Sequence, residues 1–320
     1  MAKIGNDIDL AKNILEAGGL VAIPTETVYG LAGNAFNVEA VAKIFEAKNR
    51  PAFDPLIVHT NDMAKVKGFA KCVPDKAEQL MRTFWPGPLT ILLEKEALVP
   101  DLTTSGLQSV ACRVPNHPLT LSLLEVLDFP VAAPSANPFG YVSPTSAQHV
   151  AQQLGDQIDY ILDGGEAKVG IESTIISFLE TVPKVLRLGG LSVEDIEDEI
   201  GTVNVATHSS SKPAAPGMLK SHYAPKKTIV LLDQINMNEI SDFTQFGSLM
   251  FQEALQKLPS QNQLVLSPKG DLNEAAKNLF KGLRSLDENK DIHTIITEFV
   301  PNEGLGRAIN DRIRRATAKS

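Results

Sequence analysis

Four polar stretches in the first two-thirds of the chain carry side chains able to bind a small anionic substrate. In IPTETVYGL (23–31) an apolar run ends in Thr25, Glu26, Thr27 and Tyr29, then Gly30. Such hydroxyls either hold a polar ligand or cap a turn. In KNRPAFDPLIVHT (48–60), Lys48 and Arg50 close a helical pattern, Pro51 and Pro55 stiffen the next loop, and His59 ends the next strand-like run. Cations there complement a helix dipole. They also suit phosphate, Arg as a bidentate fork and Lys as a point charge. In SVACRVPNHP (109–118), Arg113 lies in an apolar strand pattern, and a buried Arg needs a partner, either a protein carboxylate or a ligand. In APSANPFGYVSPTS (133–146), hydroxyls and prolines make either a surface loop or a pre-ordered cradle for phosphate or ribose.

The elements that must position these residues alternate through residues 1–205. DIDLAKNILEAGG, NVEAVAKIFEAKN (with Asn37 as N-cap), PDKAEQLMRTFW, HPLTLSLLEVL and TSAQHVAQQLG read as amphipathic helices. LVAIPT, PLIVHT, LTILLE, SVACRVP, FPVAAPS, DYILDGG, STIISF and KVLRLG read as strands. So many strands per helix predict a mixed sheet. Residues 206–227 break the pattern with Ser, Pro and Ala and read as a linker. From 228 to 320, TIVLLD, FGSLMF, NQLVLS and DIHTIITEFV alternate with two helical patterns, predicting a small α/β domain with a parallel sheet.

The 320 residues fit two domains, and 43% hydrophobic with 21% charged residues describes a globular chain with a sizeable core. A net charge of −8 argues against a surface built for nucleic acid. Two cysteines without CxxC, no apolar leader and no membrane-length apolar run predict a cytoplasmic protein without a disulfide framework. The six histidines never fall at a zinc-ligand spacing, and neither GxGxxG nor a P-loop motif occurs.

Taken in order, PTETVYGL, KxRPxxxPLIVH, WPGPLT, RVP, PSANxxGxxSPT, STI and RLGG resemble the YrdC/Sua5 family of threonylcarbamoyl-adenylate synthases over residues 5–200. The remainder, from SHYAP to GLGRAINDRIRRA, is similar to the longer Sua5 form with its extra C-terminal domain. The resemblance implies an α/β fold: a twisted mixed-sheet YrdC-like domain with a large concave cleft, plus a small Rossmann-like α/β domain. It implies condensation of L-threonine, bicarbonate or CO2 and ATP into threonylcarbamoyl-AMP and pyrophosphate, with Mg2+ accompanying the ATP. The product would pass to separate enzymes that modify adenosine 37 of tRNAs reading ANN codons.

By the same resemblance, Thr27, His59, Arg113 and Ala133 hold L-threonine. Lys48 and Arg50 carry the catalysis and engage the ATP phosphates. Asp54, Ser109, Ser135, Asn137, Ser143, Arg187 and Tyr223 complete the ATP site. Relatives commonly have Asn where this chain has Asp54. A carboxylate facing a triphosphate is repulsive, so Asp54 either works through Mg2+ or turns away to cap its loop. A site of Lys, Arg, Ser and Thr with no nucleophile–base pair predicts catalysis by positioning and charge stabilisation, with no covalent enzyme intermediate.

The cationic, aromatic segment PGMLKSHYAPKK (216–227) is unusual for a connector. It predicts a lid: Tyr223 reaching the ATP, Met218 and Leu219 packing on the rim, Lys220 and His222 adding charge, and Pro213, Pro216 and Pro225 limiting its freedom. The alternatives are an ordinary tether and, for the chain as a whole, a double-stranded RNA-binding module or the YrdC-like module of hydrogenase maturation proteins. No membrane association and no stable nucleic-acid binding are expected.

Overall fold

The structure, a computed structural model, describes residues 1–206, 215–216 and 223–318. The first part contains β1 (Lys3–Gly5), α1 (Ile8–Glu16), β2 (Val21–Ile23), β3 (Gly30–Asn34), α2 (Val38–Lys48), β4 (Ile57–His59), α3 (Met63–Val66) and α4 (Asp75–Phe84). It continues with β5 (Leu89–Glu94), β6 (Ser109–Arg113), α5 (Pro118–Val126), β7 (Val131–Ala132), α6 (Ala147–Leu154) and β8 (Tyr160–Leu162). β9 (Thr174–Ser177), β10 (Lys184–Arg187), α7 (Val193–Ile200) and β11 (Asn204–Val205) complete it. Among the described residues these strands form one mixed sheet in the order β1-β8-β2-β3-β7-β4-β6-β5-β9-β10-β11.

Local chemistry sets the helix ends. The Asp7 side chain accepts from Leu10 N to start α1, and Asn37 accepts from Glu39 N and Ala40 N to start α2, as its sequence predicts. Helix α4 stops at Phe84 because Trp85, which precedes Pro86, is extended (φ −107°, ψ 136°).

Helices cover both faces of the sheet. Val21 and Ile23 pack with Ala11, Leu15, Leu123 and Leu124 on one side. Ala22 between them packs with Ile44, Leu80 and Val150 on the other. This period-two alternation, apolar on both sides, marks a strand buried between helix layers. Three strands escape sequence reading, among them the two-residue β11 at the sheet edge. β1 is three residues at a sheet edge, and β3 is GLAGN, poor in β-forming residues. β3 forms because β2 and β7 flank it antiparallel.

The second sheet contains β12 (Thr228–Leu231), β13 (Phe246–Met250), β14 (Gln263–Val265) and β15 (Thr294–Thr297), in the order β12-β15-β13-β14. It is parallel throughout, as predicted. Helices α8 (Leu272–Glu288) and α9 (Gly306–Thr317) pack on it and also on the first domain. Val28, Val142 and Ile171 share an apolar cluster with Tyr223, Ala276 and Leu279. Lys281 pairs with Glu166 (2.7 Å), Arg307 with Glu194 (2.8 Å) and Arg312 with Glu172 (3.0 Å). The Tyr141 hydroxyl donates to Asp287, and Arg284 donates to Val142 O, both at 2.5 Å.

The two domains approach closely at Gly170. Its φ is +82°, and a Cβ there would overlap Lys277 Cα and lie 2.7 Å from the Ala276 and Lys277 carbonyl oxygens. Gly170→Ala is therefore expected to destabilise the docked state by about 2 kcal/mol or more. Thermal melting and limited proteolysis of the interdomain region check it. A variant with wild-type melting and protease resistance would show that the domains do not need this approach.

Candidate active site

Register brings the first site residues together. Strands β4 and β6 pair in parallel with His59 opposite Arg113 and Ile57 opposite Ala111. Because side chains alternate, His59 and Arg113 project from the same face. That face lines an open-mouthed cavity. The turn after β2 contributes Thr25 and Thr27, the loop after α2 Arg50, and the loop after β7 Ala133 and Ser135. Glu172 and Ser173 before β9, Arg187 at the end of β10, and Pro216 and Tyr223 close it.

Arg113 finds a protein carboxylate. Its Nη2 donates to Glu26 Oε1 (2.7 Å), Nη1 to Thr27 Oγ1 (3.0 Å) and Nε to Gly87 O (3.0 Å). Glu26 Oε2 also accepts from Asn116 N. Thr27 Oγ1 lies 2.8 Å from Thr25 Oγ1, and Thr25 Oγ1 donates to Val28 O. The guanidinium has five N–H donors, so this end of the cavity keeps donors for an incoming carboxylate. Burial, reinforced by the Arg113 charge, pushes the His59 pKa down to about 3. Its Nδ1 lies 3.2 Å from Ile57 O. A carbonyl only accepts, so Nδ1 carries the proton and Nε2 is an acceptor.

At the other end Arg187 donates from Nε to Ser173 O (3.0 Å), from Nη2 to Ser173 Oγ (3.0 Å) and from Nη1 to Pro216 O (3.3 Å). A shift in the β9–β10 register between Val185 and Arg187 sets the direction of its side chain. Arg50 follows Asn49, whose left-handed φ of 49° ends α2 and swings the chain toward the cavity. Arg50 donates to the Asp54 and Pro55 carbonyls (3.0 and 2.9 Å). It also lies 2.9 Å from Asp54 Oδ2.

Eight of the residues expected from sequence line the cavity: Thr27, Arg50, His59, Arg113, Ala133, Ser135, Arg187 and Tyr223. The others stand behind or away from it. Lys48 is 1% exposed and donates to Ser135 O and Asn137 O (both 2.5 Å), so it anchors the 133–146 loop from beneath. Burial, then the Arg50 charge, lower its pKa well below the lysine range. Asn137 holds the loop by donating to the Pro138 and Tyr141 carbonyls. Ser143 donates to Glu172 Oε1 (2.5 Å), one contact removed from the cavity.

Asp54 is fully buried beside Arg50 and does not line the cavity, and among the described residues no loop N–H donates to its carboxylate, so it turns away without capping the loop. Burial raises its pKa against the pull of Arg50, Lys48 and Arg187. Ser109 begins β6, four residues before Arg113, roughly 13 Å along the strand, and does not line the cavity. Met218, Leu219, Lys220, His222 and Pro213 lie outside the described residues.

Glu26, Glu172, Ser173 and Arg312 were not assigned from sequence. Glu26 in PTETVYGL, Ser173 in STI and Arg312 in GLGRAINDRIRRA lie inside the motifs with no role attached, and Glu172 stands just before STI. The Glu172 carboxylate accepts from Ser143 at one oxygen and from Arg312 Nε and Nη2 (3.2 and 3.0 Å) at the other. Among the described residues no group of three or more His, Cys, Asp or Glu side chains is placed to hold a metal ion. Mg2+ takes one or two carboxylates, keeps several waters and draws its other ligands from substrate phosphates. With the wall carboxylate Glu172 already paired to Arg312 and Ser143, the hydroxyls and arginines of this lining fit a metal that arrives on the nucleotide with its phosphate and water ligands.

The Sua5/YciO/YrdC family model, whose description reads telomere recombination, matches residues 13–189. A model for the C-terminal domain of threonylcarbamoyl-AMP synthase matches residues 191–318. A threonylcarbamoyl-AMP synthase of Pyrococcus abyssi is 41% identical over 97% of this chain and 94% of its own. One of Bacillus subtilis is 40% identical over 97% and 93%. The crystal structure of P. abyssi Sua5 complexed with L-threonine superposes with a TM-score of 0.90 at 38% identity, covering 99% of this chain and 97% of that one. Fold, cavity and similarity along nearly the whole length agree: the chain belongs to the Sua5/YciO/YrdC family, in the long form that carries the Sua5 C-terminal domain.

Proposed function

We infer that this chain is an L-threonylcarbamoyladenylate synthase, condensing L-threonine, bicarbonate or CO2 and ATP into threonylcarbamoyl-AMP and pyrophosphate. The observation that carries this reading is one cavity with two unlike ends. One end has Arg113, Thr27 and a neutral His59, and the other has Arg50, Arg187 and Tyr223. Arg113 suits the amino-acid carboxylate, and His59 Nε2 suits a hydroxyl or amine hydrogen. Arg50 and Arg187 suit phosphate oxygens, with Ser135 beside them.

The threonine amine attacks CO2, a proton leaves the nitrogen, and a carbamate forms. A carbamate oxygen then attacks the α-phosphorus and pyrophosphate departs. A histidine whose pKa is pushed down to about 3 is a poor general base near neutrality, so His59 orients rather than deprotonates. The proton can pass to the hydroxide released when bicarbonate yields CO2. Mg2+ held by the ATP would neutralise charge on the departing pyrophosphate. The guanidinium groups do the rest as fixed positive charge in a dry site. Lys48 contributes by holding the Ser135–Asn137 backbone in place.

Tyr223, 1% exposed, supports a closing role for the connector, because it lines the cavity together with Pro216. A mixed anhydride hydrolyses if water reaches it, which is what a cover prevents. The product is fitted for the t6A37 modification of tRNA by separate transfer enzymes. Among the described residues no helix is long and apolar enough to cross a membrane. The unpaired cysteines and ATP as substrate favour the cytoplasm. The −8 net charge and the cavity's form disfavour a double-stranded RNA-binding module.

Pyrophosphate release from ATP and Mg2+ is expected only when both L-threonine and bicarbonate are present. Release that ignores either one overturns the assignment. Tyr223→Ala should weaken ATP use by about ten-fold or more and let intermediate escape to hydrolysis. Unchanged ATP dependence and unchanged intermediate lifetime would remove the cover.

The depressed His59 pKa also sets a stability sign. Between pH about 3 and 6.5 the unfolded chain binds a proton at this position that the folded chain does not. This group leaves stability untouched above pH 6.5 and lowers it progressively as pH falls. His59→Gln should therefore melt with a shallower acid limb than wild type, by up to about 1.4 kcal/mol per pH unit. Parallel melting-versus-pH curves for the two proteins would contradict it.

A further inference from the structure

Arg312 belongs to α9 of the second domain, yet its side chain is fully buried at the edge of the first domain's cavity. Three of its contacts reach the site. Nε and Nη2 both donate to Glu172 Oε2, a carboxylate on the cavity wall. Nη1 donates to Leu188 O (2.5 Å), next to Arg187 in the chain. The guanidinium carbon stands 5.1 Å from the centre of the Tyr223 ring. That ring is gripped from another side by Phe280 of α8, centroids 5.5 Å apart. Its backbone holds a φ of +63°, which a non-glycine residue keeps only when its surroundings impose it. Asp311 Oδ2 accepts from Nη1 (3.2 Å) and also pairs with Arg315.

We propose that Arg312 is a positioning residue for the nucleotide half of the site: it neutralises and orients Glu172 and seats the Tyr223 ring, making the second domain part of the catalytic apparatus. The electrostatic reason is direct. Glu172 faces the end of the cavity where Arg50 and Arg187 await negative phosphate. Left unpaired, its carboxylate would repel a triphosphate and compete for those arginines. Ser143 satisfies one oxygen with a neutral hydroxyl, and Arg312 gives the other a buried positive partner. A planar guanidinium can fork onto a carboxylate, reach a carbonyl and stack on a ring at once, which a lysine ammonium cannot. None of its hydrogen bonds reaches Thr27, His59 or Arg113. The threonine half is therefore left alone.

This inference rests on the synthase reading above, and the test separates the two. Pyrophosphate release by the wild-type full chain, dependent on threonine and bicarbonate, establishes the reaction first. Arg312→Lys and Arg312→Gln are then assayed well below their melting temperatures. Both should raise the KM for ATP by about ten-fold or more while the KM for threonine stays within about two-fold. Adding Glu172→Gln to Arg312→Gln removes the stranded charge and should recover part of the lost ATP affinity, read independently by calorimetry with a non-hydrolysable ATP analogue. Variants whose two KM values move together in step with melting temperature, or do not move at all, overturn the proposal. So does a double variant that binds the analogue no better than the single one. If the wild type itself lacks the substrate-dependent release, it is the synthase reading that fails.

Discussion

Three arginines share one pocket, and the rest of the site is arranged around fixing their guanidinium groups. Burial strips these guanidinium groups of hydration and lowers the pKa values of Arg50 and Arg187, and at Arg187 the Arg312 and Arg113 charges add to the effect. The fold answers with fixed acceptors. Arg50 leans on the Asp54 and Pro55 carbonyls and the Asp54 carboxylate, Arg113 on Glu26, and Arg187 on Ser173 and Pro216. These partners hold each fork in one orientation, which is the preorganisation that electrostatic catalysis requires.

That arrangement explains why the chain needs more than the first sheet. Glu172 is the carboxylate that lines the cavity, and its counter-ion comes from α9, well over a hundred residues away in the chain. The same helix pair supports Tyr223 and the 133–146 loop, through Arg312, Phe280, Arg284 and Asp287. Docking of the second domain is thus continuous with the cavity wall, and Gly170 permits the close backbone approach that brings them together.

Much of the fold was legible in the residues. Periodicity and caps located the longer helices and most strands, and the parallel sheet of the second domain followed from its alternation of strands and helices. The misses have a common cause. β3 is made of Gly, Leu, Ala and Asn, and is a strand because two neighbours pair with it, which no local propensity reports. Among site residues, the ordered motifs named most of the side chains that line the cavity. They also named Lys48, Asn137 and Ser143, which hydrogen-bond to the 133–146 loop or to the wall carboxylate Glu172. A motif marks a residue whose type matters, and it does not distinguish touching the ligand from supporting the residue that does.

By itself the sequence determined residue types and local geometry: the cations after α2, the proline-stiffened loops, the Asn37 cap, the alternation that puts His59 and Arg113 on one face once their strands pair. Only the tertiary structure decided which charges are matched. Arg113 meets Glu26 across 87 positions and Arg312 meets Glu172 across 140. Asp54 turns to Arg50 rather than the cavity, and Lys48 is spent on backbone carbonyls. The physical reason is that a buried charge is set by its partner and by the loss of water, and both exist only after distant segments have closed around it.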